Sequence, residues 1–501
     1  MRLPSLPNRI RHNPVQTLAF LGLNKTNNTR DGEFSDTLGL SSSEYPFIRP
    51  ITTRTQQEYT SPSDVYIWDD DIYVVDGTSL KKNGTTIATV TAGKKQMAVI
   101  NTKLVIYPDT IYIDLTDDSS HNLVAHNENY SSATVTHNSV TATGIGSVFA
   151  EGDTVDLTGT GITGKRIVVQ EVEANKLIFV DNAISGTLSG SLTVTSSVPE
   201  LDFICSSNNR IWGVCNADNT VYASALGDPT DFFTYGGESG PYSVAIGSEG
   251  DFTGICDYGG AVCVWKEYML HKILGSYPSE YYMIDNPVYG VQKGSERSLV
   301  IINNILYYKG VFGVYQYGGN RPVSISQALG DEIYTGAVAG TDGRKYYICM
   351  ASGGDYSLYA YDLDHGLWMR EEDVQIEAMA NAGTNVYYLS DAVYLIGDTI
   401  DSDQEWTCTF CLYTENMFNR KGYLKLLLRL DMMTGSELDI YVKEDRRDFH
   451  LAFHRDATNK CTLTVPLRLG RCDRFEVKFT GVGDVMIRAA GREFVTGSDI
   501  N

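Results

Sequence analysis

Residues 65–75 read VYIWDDDIYVV, which is two short β-branched and aromatic runs on either side of an acidic turn. Runs of this composition favour strands, and a polar turn between them predicts a β-hairpin. The arrangement recurs in six further segments: 104–113, 210–224, 261–273, 305–317, 345–361 and 386–396. No long stretch has the 3.6-residue periodicity of a helix. The sequence therefore predicts an all-β protein built from a repeated unit.

The spacing of these hairpins suggests how the units are arranged. The spacing is roughly 30–50 residues once one insertion is set aside, which is the period of a four-stranded propeller blade. A single blade cannot bury both of its faces, whereas radial stacking buries them against neighbouring blades. We therefore predict a six- or seven-bladed β-propeller. The alternative is a set of ordinary β-meanders arranged in two sandwiches.

Composition divides the chain into five predicted segments. Residues 118–198, the insertion, are rich in Ser, Thr, Gly and Val and poor in aromatic residues. This composition predicts a small autonomous β-barrel or sandwich that protrudes from a loop. The C-terminal block is also β-rich and reads as an antiparallel β-sandwich. The segments are an extended N-terminal arm at 1–54, the first part of the propeller at 55–117, the insertion at 118–198, the second part of the propeller at 199–404, and the C-terminal sandwich at 405–501.

The charge of the 501-residue chain is unevenly distributed. The formal net charge is −22, but residues 55–404 carry a net of −26, while 1–54 carry +3 and 405–501 carry +1. Strong acidity argues against a protein that grips nucleic acid, because phosphates would be repelled. It does not argue against a protein that lets nucleic acid slide past. The simpler interpretation is a well-solvated surface.

Several other classes of protein are not indicated. The sequence contains no run of about 18 apolar residues, so no membrane span is predicted. The first residues lack the apolar segment of a secretory signal. Most of the nine cysteines lie in apolar, strand-like runs, which suits reduced thiols made in a cytosol. The pair Cys408 and Cys411 has no second pair at zinc-finger spacing, so zinc is not predicted.

Sequence motifs for catalysis are also missing. There is no Gly-x-Ser-x-Gly elbow, no HExxH and no Walker loop. His450 and His454 would share one face of a strand and could bind a metal, but no third ligand is evident nearby. Asp362 and Asp364 could form the paired carboxylates of a glycosidase. Turn aspartates normally bond their own backbone rather than calcium. We predict no catalytic residue, no metal site and no cofactor.

Two stretches resemble a known family. Residues 206–213 read SSNNRIWG and residues 221–232 read VYASALGDPTDF, a recurrent pattern of bacteriophage tail structural proteins. The opening words FLGLN at 20–24 and DGEF at 31–34 are also similar to the starts of such proteins. The chain thus resembles the tail nozzle or tail stabilisation proteins of short-tailed phages, although the insertion at 118–198 has no counterpart.

The resemblance implies a non-enzymatic structural role. Such proteins combine a β-propeller with added β-domains and form a ring around the DNA channel, which supports virion assembly and DNA ejection. It implies a homohexamer in the virion tail, made in the host bacterial cytoplasm. Its partners would be copies of itself, neighbouring tail or adaptor proteins, and double-stranded DNA that passes without specific binding.

Charge selects the candidate residues within this interpretation. An acidic wall repels DNA and lets it pass, which makes the acidic turns candidate channel or loop residues: Asp69, Asp70, Asp71, Asp117 and Asp118. The basic N-terminal residues Arg2, Arg9 and Arg11 are candidates for docking on an acidic neighbour. The main alternative is a receptor- or glycan-binding tail or baseplate protein, in which aromatic loops stack on sugars. A propeller glycosidase, which needs two carboxylates about 5–10 Å apart, is less favoured.

Overall fold

The computed structural model of the chain describes residues 12–233, 237–456 and 461–496. Strands account for 56% of the residues and helices for 3%, which confirms the all-β prediction. The helical segments are single 3-10 turns at Ile145–Ser147, Pro278–Glu280, Glu296–Ser298 and Gln327–Leu329. Within the described residues, no helix is long and apolar enough to span a membrane.

The chain divides into two compact units. Unit 1 consists of Met1–Glu58, Phe312–Gln316 and Val323–Asn501. Unit 2 consists of Tyr59–Val311 and Tyr317–Pro322. The two units are described separately below.

Unit 2 contains four antiparallel sheets of four strands each, in which strands adjacent in sequence are adjacent in space. Sheet 1 is Pro62–Trp68, Asp71–Asp76, Ser79–Lys82 and Thr85–Thr89; sheet 2 is Gln96–Ile100, Lys103–Tyr107, Ile111–Asp114 and Ser119–Asn122. Sheet 3 is Phe203–Ser207, Arg210–Cys215, Thr220–Ala223 and Tyr242–Ala245; sheet 4 is Gly254–Tyr258, Ala261–Lys266, Met269–Leu274 and Tyr282–Pro287.

Three further four-stranded sets follow along the chain. Sheet 5 is Val300–Ile302, Ile305–Gly310, Gly313–Tyr317 and Val323–Ser324. Sheet 6 is Thr335–Thr341, Lys345–Ser352, Asp355–Asp362 and Leu367–Glu372. Sheet 7 is Ala378–Ala382, Asn385–Leu389 and Val393–Ile396, and its fourth strand is Arg54–Gln56 from the N-terminal segment.

Each aromatic hairpin found in the sequence lies in a different one of these seven sheets. In sheets 2 to 7 it forms the second and third strands, which are central in the sheet and covered on both faces. In sheet 1 it forms the first and second strands. Central strands need apolar side chains on both faces, so they carry the strongest pattern.

The first hairpin turn in several sheets uses a pair of left-handed residues. These pairs are Asp69–Asp70, Asn208–Asn209, Gly259–Gly260 and Asn303–Asn304, with φ between 47° and 76°. Two-residue hairpin loops need positive φ at both positions to match strand twist, and Asn, Asp and Gly reach that region most easily. The turn chemistry thus fixes the hairpin register.

Neighbouring sheets within a unit share apolar cores. In unit 2, sheets 1 and 2 enclose Tyr73 and Leu104, sheets 2 and 3 enclose Tyr107 and Ile211, and sheets 3 and 4 enclose Trp212. In unit 1, sheets 6 and 7 enclose a separate core that contains Leu358, Tyr388 and their neighbours. Sheets 1 to 4 of unit 2, and sheets 6 and 7 of unit 1, therefore pack against one another through shared apolar cores.

The insertion forms its own sheet within unit 2. Its seven strands are Asn127–Thr136, Ser139–Ala142, Thr154–Gly159, Ile162–Val168, Glu171–Glu173, Lys176–Ile178 and Leu188–Ser196. A separate core of sixteen buried residues, including Phe149 and Leu192, lies within this segment. The insertion thus buries its apolar side chains independently of the repeated sheets.

The C-terminal residues form two sheets around one core in unit 1, and N-terminal strands complete both. The four-stranded sheet contains His12–Thr17, Val485–Thr496, Lys421–Met432 and Cys461–Pro466. The six-stranded sheet contains Gly22–Leu23, Glu33–Leu38, Glu405–Phe410, Phe475–Val482, Glu437–Glu444 and His450–Asp456, and a short pair joins Leu40–Ser41 to Arg49–Pro50. The described part of the segment predicted as an extended arm is therefore paired with other strands.

The strand Arg54–Gln56 supplies the edge of sheet 7. The amide of Thr53 donates to the carbonyl of Thr399 at 2.7 Å, and the amide of Gln57 donates to the carbonyl of Val393 at 2.8 Å. Alternate residues of a strand face the same way, so the amide of Thr55 faces the sheet and that of Gln56 faces away.

Replacing Thr55 by proline should therefore destabilise the protein, because proline removes an amide from the ladder. We expect a loss of about 1–3 kcal/mol in unfolding free energy, measured by denaturant titration. Gln56→Pro is the matched control and should cost clearly less. Equal losses in the two variants would show that the strand does not pair as described.

Candidate functional site

The candidate acidic turn of sheet 1 is exposed. Asp69 and Asp70 occupy the two left-handed positions of the first hairpin turn, with φ of 47° and 67°, and both are exposed. Asp71 begins the next strand and accepts a hydrogen bond of 2.6 Å from the Asn83 side chain. The adjacent Trp68 is 43% exposed.

The acidic turn of sheet 2 lies beside that of sheet 1. Lys82 joins them, since its Nζ is 3.0 Å from an Asp118 oxygen and 3.3 Å from an Asp71 oxygen. The hydrogen bond to Asp118 raises the pKa of Lys82 above its ordinary value, so the amine stays charged. Asp117 accepts bonds from the Ser119 amide and hydroxyl, which lower the pKa of Asp117. Three of the five predicted aspartates are thus exposed and pair with no lysine or arginine of the described residues: Asp69, Asp70 and Asp117.

The basic residues predicted to form the docking arm, Arg2, Arg9 and Arg11, lie outside the described residues. The following segment is anchored by Arg492, which is 5% exposed. Its guanidinium bonds Glu415 at 2.6 and 2.9 Å and Asp31 at 3.0 Å, and it lies 3.8 Å from the Tyr413 ring centroid. A charge this deeply buried requires such pairing, so the contact fixes the N-terminal segment to the C-terminal sheets.

The motif that carries the family resemblance has a structural explanation. Arg210 is fully buried in the second strand of sheet 3. Its guanidinium donates to the carbonyls of Ser224 at 2.8 Å, Glu238 at 2.8 Å and Gly240 at 2.5 Å. These carbonyls lie at both ends of the loop that joins the last two strands of the sheet. Arg210 therefore clamps this loop closed.

Other residues of the same motif support the loop. The amide of Gly227 donates to the carbonyl of Asn209, Asp228 accepts from the amide and hydroxyl of Thr230, and Phe232 is buried in the core between sheets 2 and 3. Each conspicuous side chain in the motif holds backbone or fills a core. The motif thus specifies loop architecture.

Ser248, His271 and Asp285 form a chain of hydrogen bonds that was not predicted from the sequence. Ser248 Oγ is 2.9 Å from His271 Nε2, and His271 Nδ1 is 2.6 Å from Asp285 Oδ1. This is the order of contacts in a serine hydrolase triad. Ser248 also borders a cleft of about 530 Å³ in unit 2, which Tyr268, Glu249 and Asp251 line.

The environment of this chain of bonds favours a structural role. His271 is 1% exposed, while the Asp285 side chain is 56% exposed, the reverse of a triad in which a buried carboxylate orients the histidine. The carbonyl of Ser248 accepts a bond of 2.7 Å from the buried Lys266. The contacts together hold the loop between sheets 3 and 4. No sequence motif marks them because the three residues come from separate segments.

The remaining predicted pairs are engaged in local contacts. Asp362 is buried and accepts bonds from the Ser42 hydroxyl and the His365 ring, whereas Asp364 is exposed. His454 lies between Asp439 and Asp456, and its hydrogen bonds, that to Asp439 foremost, raise the pKa of His454. All nine cysteines are free thiols. Across the described ranges no cluster of three His, Cys, Asp or Glu side chains is arranged to hold a metal.

The sequence matches no protein-family model and no curated protein sequence. Solved structures with some likeness include an exo-β-1,3-galactanase from Phanerochaete chrysosporium, at 10% identity and a TM-score of 0.23, covering 56% of this chain and 92% of that one. They also include the dihydro-heme d1 dehydrogenase NirN, at 10% identity and 0.29, covering 84% and 76%, and KlHsv2 with a replaced loop, at 8% identity and 0.28, covering 62% and 96%. Likeness at this level assigns no activity to this chain.

Arg210→Lys should open the loop of sheet 3, because lysine cannot serve the same set of carbonyls. We expect a loss on the order of 3 kcal/mol in stability and faster amide exchange in residues 225–233 and 237–241, measured by hydrogen–deuterium exchange. Arg344→Lys, at a side chain that is 82% exposed, is the control and should change neither. Unchanged exchange in Arg210→Lys would disprove the clamp.

Ser248 should behave as a structural residue. We expect no labelling of Ser248 by a fluorophosphonate probe, followed by mass spectrometry, since the His271 ring is enclosed. Ser248→Ala should cost about 1–3 kcal/mol of stability because the buried Nε2 loses its partner. The exposed Ser120→Ala is the control for stability. Specific labelling of Ser248 that His271→Ala abolishes would instead reveal a nucleophile.

Proposed function

We propose that this chain is a structural subunit of a bacteriophage tail, assembled as a homohexameric ring around the DNA channel and without catalytic function. The proposal rests on the resemblance of residues 206–213 and 221–232 to tail nozzle and stabilisation proteins, together with the role that these residues have in the fold. Arg210 and its neighbours use that motif to hold a loop shut rather than to form a reactive site. The proposed location is the virion tail, after synthesis in the host bacterial cytoplasm.

We further propose that the seven four-stranded sheets close into a seven-bladed β-propeller. Two observations support closure. Successive sheets within each unit share cores, and Arg54–Gln56, which precedes sheet 1 in the sequence, completes sheet 7. A strand supplied from the other end of the repeat ties the first and last blades together, which protects the edges of a propeller.

The DNA channel in this proposal is the opening of the ring. In the proposed propeller the first strand of each sheet lies nearest the propeller axis, and these seven strands contain only two acidic residues, Asp64 and Asp257. Asp64 is buried and paired with Arg297 at 2.7 Å. The first strands thus contribute little to the acidity of residues 55–404. The remaining acidic residues lie on the other strands and in the loops, and we propose that they repel passing DNA in an assembled ring.

A glycan-binding tail or baseplate protein is the second candidate. One observation favours it: Tyr268, which is 56% exposed, borders the cleft of about 530 Å³ together with Glu249 and Asp251. An exposed aromatic face with carboxylates beside it can stack on a sugar and accept hydrogen bonds from its hydroxyls. Binding of this kind is also compatible with a subunit in a ring.

The ring proposal is tested on the purified full-length chain. We expect light scattering coupled to size-exclusion chromatography to give a six-copy mass, and electron microscopy to show a ring with a central opening. Duplex DNA should not bind at physiological salt, measured by fluorescence anisotropy, because the assembly is strongly acidic.

A single-copy protein that binds an oligosaccharide would contradict the ring and support the second candidate. Tyr268→Ala separates the two, since it should abolish sugar binding while leaving the assembled mass unchanged. Tight binding of DNA by the wild-type chain would contradict the proposed passage without binding.

A further inference from the structure

One end of the C-terminal part of unit 1 is rich in exposed arginine, although the net charge of that part is near neutral. Three loops, at 416–420, 445–449 and 467–474, are tied together there. Asp445 accepts bonds from the Arg474 amide at 3.0 Å and from the Arg420 guanidinium at 3.2 Å. Glu444 accepts a bond from the Gly470 amide at 3.2 Å. We call this surface the arginine end; its six exposed arginines are Arg420, Arg446, Arg447, Arg468, Arg471 and Arg474. Arg420 pairs with Asp445 and Arg447 with Glu444. Asp448 and Asp473 are exposed in the same loops, so arginine remains in excess by a small margin.

The arginine end also presents apolar groups. Phe418 is fully exposed and Met417 is 45% exposed, in the same loop as Arg420. Arginine and aromatic residues are enriched in the centres of protein interfaces. Exposed apolar side chains next to several exposed arginines suit a surface that contacts carboxylates and apolar groups of a partner.

The same chain carries a surface of that kind. Of the five tryptophans four are 0–3% exposed, whereas Trp68 is 43% exposed. Asp69 and Asp70 follow Trp68 directly, and Asp117 precedes Asp118, which Lys82 joins to Asp71. Asp69, Asp70 and Asp117 are exposed, and no lysine or arginine of the described residues pairs with them. We call this the aspartate surface. A guanidinium can stack on a tryptophan face and pair with adjacent carboxylates.

We propose that the arginine end of one copy docks on the aspartate surface of the next copy. Rings are built from heterologous contacts, in which two different patches on each chain are complementary. Segregation of opposite charges onto two surfaces of one chain satisfies that requirement. The inference rests on the ring proposed above, and it assigns the predicted acidic residues to the contact between subunits rather than to the channel wall.

The test uses two charge-reversal variants of the full-length chain. The arginine variant is Arg446→Glu with Arg447→Glu, and the aspartate variant is Asp70→Lys with Asp117→Lys. Each places like charges across the proposed contact, so each alone should lose the six-copy species in light scattering. A 1:1 mixture should recover it, because in an even-numbered ring the two variants alternate and every contact again joins opposite or unaltered partners.

The control for the arginine variant is Arg344→Glu with Arg429→Glu, which changes the net charge by the same amount and in the same direction at two exposed sites elsewhere, and should retain the six-copy mass. Circular dichroism checks that each variant is folded. If the arginine variant alone remains a ring, or if the mixture does not recover one, the inference is wrong while the ring stands. If the wild-type chain is a single copy, the proposed function fails, and this contact with it.

Discussion

The repeated four-stranded sheets of this protein bury large apolar side chains, and a single sheet cannot cover its own faces. Trp212, Trp265 and Trp368, which lie on central or outer strands of sheets 3, 4 and 6, are all 0–1% exposed. Burying one such side chain contributes a few kcal/mol, provided that a neighbouring sheet covers it. Stacking of successive sheets is thus a condition for the stability of each one, and it dictates the repetitive organisation of the chain.

This constraint explains which parts of the fold the sequence could predict. The central strands have apolar residues on both faces, so their aromatic pattern is visible, and all seven hairpins could be located from it. The outer strands are covered on one face or carry polar residues; Arg54–Gln56 reads Arg-Thr-Gln, which has no apolar pattern at all. Its pairing with Val393–Ile396 depends on a contact between residues more than 300 positions apart. For the same reason the N-terminal strands, which complete the C-terminal sheets, could not be recognised.

The candidate site was predictable to a smaller extent. The acidic turns could be identified as exposed turns because Asp69 and Asp70 follow a strand pattern directly. That Lys82 joins Asp71 to Asp118 could not be foreseen, since it depends on the stacking of two sheets. Arg210 was visible as part of a motif, but its partners are backbone carbonyls, which carry no signature in sequence. Contacts of side chains with distant backbone are generally hidden in this way.

The distribution of charge acquires a different meaning once individual contacts are considered. Many acidic residues form ion pairs within the chain. Asp64 pairs with Arg297, and Asp109 lies 2.6 Å from Lys95, both side chains being buried. Such pairs contribute little to the field outside the protein. What acts on a partner is the remainder, and in sheets 1 and 2 that remainder includes the turn aspartates beside Trp68. Likewise the C-terminal residues, nearly neutral in sum, expose arginines at one end; Arg420 and Arg447 are paired there with Asp445 and Glu444, which leaves Arg446, Arg468, Arg471 and Arg474 beside the exposed Asp448 and Asp473. Net charge over a segment therefore misses the two surfaces, which become apparent only when each charge is assigned to its contact.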